Sequence, residues 1–206
     1  MSDISLRTYA FIDRLQPQCA AHIGATCQGD VPVAGMAELF IEMAPGNEVY
    51  RIADVALKAA DVRPALQIIE REFGLLELHS SSQAEVLAAG QAVLAELGLT
   101  EADRVQPQIV STQIITNVHP YQAQLLNKFR KGALLIPGRS LLVIELTPAA
   151  YAGLAANEAE KAASIDVVEI RAVGRFGRVF LSGSESQVGA AREAAVAGLM
   201  GVEVVL

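Results

Sequence analysis

The sequence contains no tryptophan, only two cysteines and three histidines, and just 19% charged residues in a chain of 206. Each shortage excludes something. Soluble domains carry about 25% charged residues, so this surface is short of charge. With 52% hydrophobic residues, the surplus apolar area is expected at subunit interfaces. Basic residues are also scarce: 16 Lys and Arg stand against 23 Asp and Glu, for a net charge of −7. A phosphate-backbone binder needs a basic footprint, so no nucleic acid is expected as partner. No apolar run approaches the ~18 residues that suggest a membrane span; the longest, such as Leu141–Ile144, are strand-sized. Met1-Ser2-Asp3-Ile4-Ser5 lacks the basic start and apolar core of a signal peptide, and a cytoplasmic location is expected.

The chemistry of catalysis is equally sparse. Cys19, His22 and Cys27 are spaced as a partial metal site, but a structural zinc takes four ligands. His79 and His119 lie far away in sequence. The expectation is therefore two buried small hydrophobes and a polar helix residue, with no metal and no cofactor. A disulfide is not expected in a reducing compartment. There is no nucleophile elbow, no Walker loop and no Gly-x-Gly-x-x-Gly, and the carboxylates fall at no recognisable catalytic spacing. The reading is that the chain is not an enzyme. Gly174-Arg-Phe-Gly177 has the form of an RNA-clamping Gly-x-x-Gly loop. That clamp joins two helices, whereas here it falls between expected strands, so a tight turn is predicted.

What is present is a repeat. At a constant offset of 103 residues, Pro17 matches Pro120, Ala20 matches Ala123, Gly29 matches Gly132 and Gly35 matches Gly138. Glu42 and Pro45 match Glu145 and Pro148, Lys58-Ala-Ala60 matches Lys161-Ala-Ala163, and Phe73-Gly74 matches Phe176-Gly177. The identities gather at glycines and prolines, the residues that punctuate local structure. Two tandem domains are predicted, residues 1–103 and 104–206, with the boundary near Leu99–Arg104.

Each half reads alike, in the order β-α-β-α-β-β-α. A first strand (Arg7–Leu15; Gln108–Ile115) alternates and is rich in β-branched residues. A short helix starts at Pro17 or Pro120, where proline is tolerated in the first turn. After a glycine-bounded loop comes an apolar strand (Leu39–Met43; Leu141–Leu146). An alanine-rich amphipathic helix (Val49–Ala60; Tyr151–Ala163) follows. Two strands then meet at a tight turn before Phe73 or Phe176, and an amphipathic helix closes each half (Ser82–Leu97; Glu185–Met200). Gly201–Leu206 reads as a small extra strand or a frayed tail.

The stretch Leu39-Phe-Ile-Glu-Met-Ala-Pro45, followed by Ile52-Ala-Asp-Val-Ala-Leu-Lys-Ala-Ala-Asp-Val62, resembles the bacterial microcompartment shell domain. Val143-Ile-Glu-Leu-Thr147 and Ala155-Ala-Asn-Glu-Ala-Glu-Lys-Ala-Ala-Ser-Ile165 repeat the resemblance. A strand and helix precede the motif in each half, as in the circularly permuted form of that domain. Arg7–Gln18, Ile69-Glu-Arg-Glu-Phe-Gly74 and Leu154–Ala163 narrow the resemblance to the tandem-domain, trimeric pseudohexameric shell proteins of carboxysomes.

The resemblance implies an α/β (α+β) fold of two tandem permuted domains, each a four-stranded antiparallel-type sheet flanked by helices. It implies a homotrimer with a central pore, possible stacking of two trimers face to face, and contacts with other shell proteins. It places Glu70 and Arg71 at the pore, with Val173 and Gly174 at the matching positions of the second half. It places Lys58 and Lys161 at the rim where tiles meet. The implied traffic is of anionic metabolites such as sugar phosphates. Independently of the resemblance, three like charges crowded on an axis repel by several kcal/mol at low effective dielectric. Pairing of Glu70 with Arg71 relieves this, and two side-chain arrangements of such a pair make a gate. The alternative is a trimeric, ferredoxin-like small-molecule-sensing regulator, which shares the α/β layers and threefold symmetry but has no use for a tiling lysine in both halves.

Overall fold

The computed structural model describes residues 4–201. The first half runs β1 (Ser5–Ile12), α1 (Pro17–Thr26), β2 (Ala37–Ala44), α2 (Glu48–Ala59), β3 (Arg63–Glu70), β4 (Phe73–Ser80) and α3 (Gln83–Leu97). A short 3-10 turn, Glu101–Asp103, leads into the second half. This comprises β5 (Gln108–Ile115), α4 (Pro120–Asn127), β6 (Ser140–Thr147), α5 (Tyr151–Ala162), β7 (Asp166–Arg171), β8 (Gly177–Gly183) and α6 (Glu185–Met200). The predicted order holds in both halves. The extra strand or tail read at the C-terminus falls on 202–206, outside the described residues.

Each half builds one four-stranded antiparallel sheet, ordered β1-β2-β4-β3 and β5-β6-β8-β7. Registers repeat at the same offset: Phe40 faces Glu77 as Val143 faces Phe180. The recurring glycines have a common cause. A Cβ on Gly29 would stand 2.2 Å from the Pro64 carbonyl, and one on Gly132 stands 2.1 Å from that of Val167. These loops press their backbones onto the edge strands, with Asp30 N–H donating to Pro64 O and Ala133 N–H to Val167 O. Gly74 and Gly177 likewise face the carbonyls of Gly46 and Ala149, each at 2.3 Å from the added Cβ. Gly35 and Gly138 take φ of +90° and +84°, which favours a residue without Cβ.

Two expectations need correction. The first strand spans Ser5–Ile12, not Arg7–Leu15: the chain bends at Asp13–Arg14, and Leu15 instead exchanges hydrogen bonds with Met36 and Gly35. The alanine-rich helices are also not equivalent in setting. α2 buries one stripe (Val49, Ile52, Ala53, Ala56), as an amphipathic surface helix should. α5 buries every residue from Tyr151 to Asn157, because it is wedged between the two halves. A helix buried all round needs small residues, and at Gly153 a Cβ would lie 2.5 Å from the Phe40 ring of the other half.

The cores follow from this wedge. One cluster belongs to the first half, where Leu39, Ile41 and Met43 of β2 meet α2 and α3. A larger cluster joins Ala10, Ile12, Cys19 and Phe40 of the first half to Leu142, Tyr151, Ala155 and Leu181 of the second. The two halves therefore share a core.

Candidate functional site

The turn between β3 and β4 carries the predicted pore pair. Glu70 is the last residue of β3 and pairs with Phe73 across a two-residue loop. Arg71 takes φ of 57°, a left-handed conformation that disfavours a side chain by about 1–2 kcal/mol. Leaving the strand at Arg71 lifts the rule that neighbouring strand residues face opposite ways. Both side chains project from the turn, 50% and 90% exposed, with Arg71 Nε 3.7 Å from Glu70 Oε1.

The second half's turn lies beside the first. Gly174, at the position matching Arg71, takes φ of +93°, and a Cβ there would be 3.7 Å from Glu70 Cγ. Arg175 is exposed at the tip of this turn, its guanidinium 5.4 Å from the Phe176 ring centre. Matching by the repeat finds no charge at Val173 and Gly174 and passes over Arg175, one residue further on. The signal was present in Gly174-Arg-Phe-Gly177, read there only as a turn.

Lys58 and Lys161 sit in the last turns of α2 and α5, where cations complement the helix dipole. Their surroundings differ. Lys58 is 74% exposed and bridges to Asp54 at 2.6 Å. Lys161 reaches Asp13 of the other half and Glu158, both at 3.5 Å, so it lies at the junction of the halves.

That junction is built largely by α1, which docks on the second half. Glu160 caps its first turn, accepting from Gln18 N–H at 2.8 Å and Cys19 N–H at 2.9 Å. Asn157 Oδ1 accepts from Gln16 N–H at 2.8 Å. Gln18 then covers the open edge of β7, accepting from Val167 N–H at 2.9 Å. His22 Nε2 accepts from Ile170 N–H at 3.0 Å. Cys19 and His22 are thus packed into an interface with Cys27 half-buried beside it, and His22 spends its Nε2 lone pair on the backbone.

The repeat makes the matching surfaces identifiable, and they are bare. α4 corresponds to α1, yet it exposes Tyr121 (63%) and Leu125 (48%), at the positions of Gln18 and His22. Leu57, which corresponds to the capping Glu160, is 44% exposed on α2.

The sequence reading also missed a polar face on the first sheet. Glu38, Phe40 and Glu42 of β2 and Leu75, Glu77 and His79 of β4 share the face turned toward the second half. Glu38 and Glu77 are fully buried. Burial first, and the adjacent Glu77 second, push the Glu38 carboxyl well above the usual range. Burial alone would lower His79, but Glu77 at 2.9 Å and Asp30 at 3.3 Å outweigh it and leave its pKa raised. Burial likewise raises Glu42, with Arg7 and the Ala150 N–H opposing. Two glutamates four residues apart, and so on one face of an otherwise apolar strand, were the legible signal.

Comparison with known proteins agrees with this architecture. Residues 6–103 match the family described as the CsoS1D N-terminal domain. The chain is 53% identical over 196 residues to the carboxysome shell protein CcmP of Synechococcus elongatus, covering 95% of this chain and 92% of that protein. It is 45% identical to the carboxysome shell protein CsoS1D of Hydrogenovibrio crunogenus, covering 93% and 94%. Among solved structures, the fused permuted hexameric shell protein MSM0275 from the RMM microcompartment superposes with a TM-score of 0.94. It is 42% identical, over 98% of this chain and all of that one. The double ringed trimeric shell protein MSM0271 of the same microcompartment gives 0.93 at 38% identity, over 97% and 98%. With its two permuted four-stranded halves and relatives matched across almost their whole length, the chain belongs to the family of tandem-domain carboxysome shell proteins.

Proposed function

We propose that three copies of this chain close into a ring that serves as a tile of a carboxysome shell, with the β3–β4 and β7–β8 turns around a central pore. The observation that carries the ring is the bare counterpart of the α1 docking surface. Inside the chain, α1 seats on α5 and β7. By the repeat, α4 of one copy should seat on α2 and β3 of the next. Such a contact is heterologous, and heterologous contacts close into rings when the rotation permits. Two domains per chain then give six similar wedges from three chains. Each wedge is taken as one repeat unit, with the division near residue 103 that the offset of the repeat supports. The apolar Tyr121, Leu125 and Leu57 explain where the surplus hydrophobic composition goes.

In that ring Glu70, Arg71 and Arg175 of each copy surround the axis. Among the described residues Arg71 is held by a 3.7 Å contact to Glu70 alone, so it is free to reach across the opening or fold back, which is the behaviour of a gate. Guanidinium groups match the oxygens of phosphate, and the interleaved Glu70 keeps such binding weak enough for passage. The traffic we assign is anionic metabolites of the sugar-phosphate class. Lys58 and Lys161 mark the outer edge for contact with neighbouring tiles, and two rings stack face to face. CcmP and CsoS1D are carboxysome shell proteins by name, and MSM0271 is double ringed and trimeric; both support this reading.

Light scattering on a sizing column tests it. A mass of three chains, or six if rings stack, is expected. A monomer at micromolar concentration removes the axis and with it the pore.

A further inference from the structure

Between the two halves lies a cavity of about 360 Å³, within the size range of small-molecule sites. It is bounded by α1 and the polar face of the first sheet on one side and by β7 and β8 on the other. Its walls are largely apolar, from Ile23, Phe40, Leu66, Ile68, Ile170 and Val173 among others. What distinguishes it is the state of its polar groups. Arg178 donates to Glu145 at 2.8 Å. Arg171 stacks 4.4 Å above the Phe129 ring, with Glu169 at 3.9 Å. Glu169 accepts from Lys131 N–H at 2.6 Å, and His22 accepts from Ile170 N–H. Thr26 Oγ1 donates back into its own helix.

Glu38 is the exception. It lines the cavity, is 0% exposed, and neither of its carboxylate oxygens meets a hydrogen-bond donor. Its polar neighbour is another carboxyl, Glu77, whose own oxygens are already taken by Ala65 N–H and His79. A shared proton satisfies one Glu38 oxygen at most, and the other is left without a donor. Buried acceptors without donors are costly and rare. The fold itself does not require this one: at the matching positions the second half carries Leu141 for Glu38, Phe180 for Glu77 and Ser182 for His79.

We infer that this cavity is a binding site for a small, largely apolar molecule ending in a single hydrogen-bond donor, of which a primary amine is the best match, with Glu38 as the group that recognises it. The apolar walls take the body, and the donor completes Glu38. An anion would have to compete for the two arginines with the carboxylates beside them, Glu145 at 2.8 Å from Arg178 and Glu169 at 3.9 Å from Arg171. The site is independent of the ring and its pore, and stands or falls without them.

Calorimetric titration of the full chain with benzylamine, benzyl alcohol and toluene tests this. Benzylamine should bind most tightly, benzyl alcohol more weakly and toluene weakest. The step from amine to toluene should be about tenfold or more, as a charge-assisted hydrogen bond implies. Glu38→Leu copies the residue the second half tolerates; it should remove the preference for amine while leaving toluene within about twofold. Glu38→Gln, which keeps the shape, should weaken the amine more than the alcohol. Equal binding of amine and toluene to the unsubstituted chain overturns the inference, as does an amine preference that survives Glu38→Leu. No benzylamine binding at millimolar concentration overturns it as well.

Discussion

Glu42, buried on β2 of the first half, accepts the backbone N–H of Ala150 in the second half at 2.9 Å and Nε–H of Arg7 at 2.8 Å. One carboxylate thus ties the two halves and neutralises an arginine that stacks 3.7 Å over the Phe73 ring. Its repeat partner Glu145 is met by Arg178 instead, from the adjacent strand. Removing one partner of a buried, hydrogen-bonded ion pair strands the other. Glu42→Ala should lose about 3 kcal/mol in urea unfolding at fixed protein concentration, and Glu42→Gln about half of that. A loss below ~1 kcal/mol for the alanine variant would show that the tie is not energetically coupled to the fold.

The close glycines give a contrast within one protein. Gly74→Ala and Gly177→Ala each drive a methyl against a fixed carbonyl and should cost about 3 kcal/mol or more, since backbone must move. Gly189 lies in α6 with nothing within 4 Å of an added Cβ. Gly189→Ala should stabilise by about 0.5–1 kcal/mol, from helix propensity. Thermal unfolding of the three variants checks the order.

Arg71 occupies a left-handed turn position that Gly174 fills in the other half. Arg71→Gly should therefore raise stability by about 1 kcal/mol while abolishing the charge at the proposed pore. Arg71→Ala removes the charge without that gain. Crystal structures of rings formed by the alanine variant should show one pore state; two states in equal measure would mean that arginine is not the latch.

The raised carboxyl of Glu38 has a definite sign in stability. A carboxyl raised on folding contributes stability that is complete below its ordinary value of 4.5 and is lost as pH rises through the folded value. The raised His79 acts the same way from its ordinary 6.5 upward. Both move stability down with rising pH. Glu38→Leu should flatten this decline, so that its thermal midpoint falls less between pH 5 and pH 9 than that of the unsubstituted chain. A steeper fall in the variant contradicts the assignment.

Tyr121 and Leu125 on α4 test the ring directly. Leu125→Asp places a charge at the proposed interchain contact but on an exposed surface of the isolated chain. It should reduce the mass seen by light scattering to that of one chain while leaving the thermal unfolding of the monomer within about 0.5 kcal/mol, as for other surface changes.

The sequence by itself determined the repeat, the order of elements and the positions of the turns. These are local facts: prolines at helix starts, glycines where backbones touch, and alternation in strands all act over a few residues, and the offset of 103 exposes them twice. The Glu70–Arg71 turn was legible for the same reason. Only the tertiary structure decided how the halves meet. The first two turns of α5 hold uncharged residues where α2 carries charge, but what buries α5 between the halves is the closing of α1 and the Phe40 face over it. The same long-range packing carried Glu38 from an ordinary strand position to the wall of a largely apolar cavity beside Glu77, and set the turn at Gly174 beside the first turn. Sequence spacing sets which residues share a strand face; which face is sealed, and against what, depends on contacts more than a hundred residues apart.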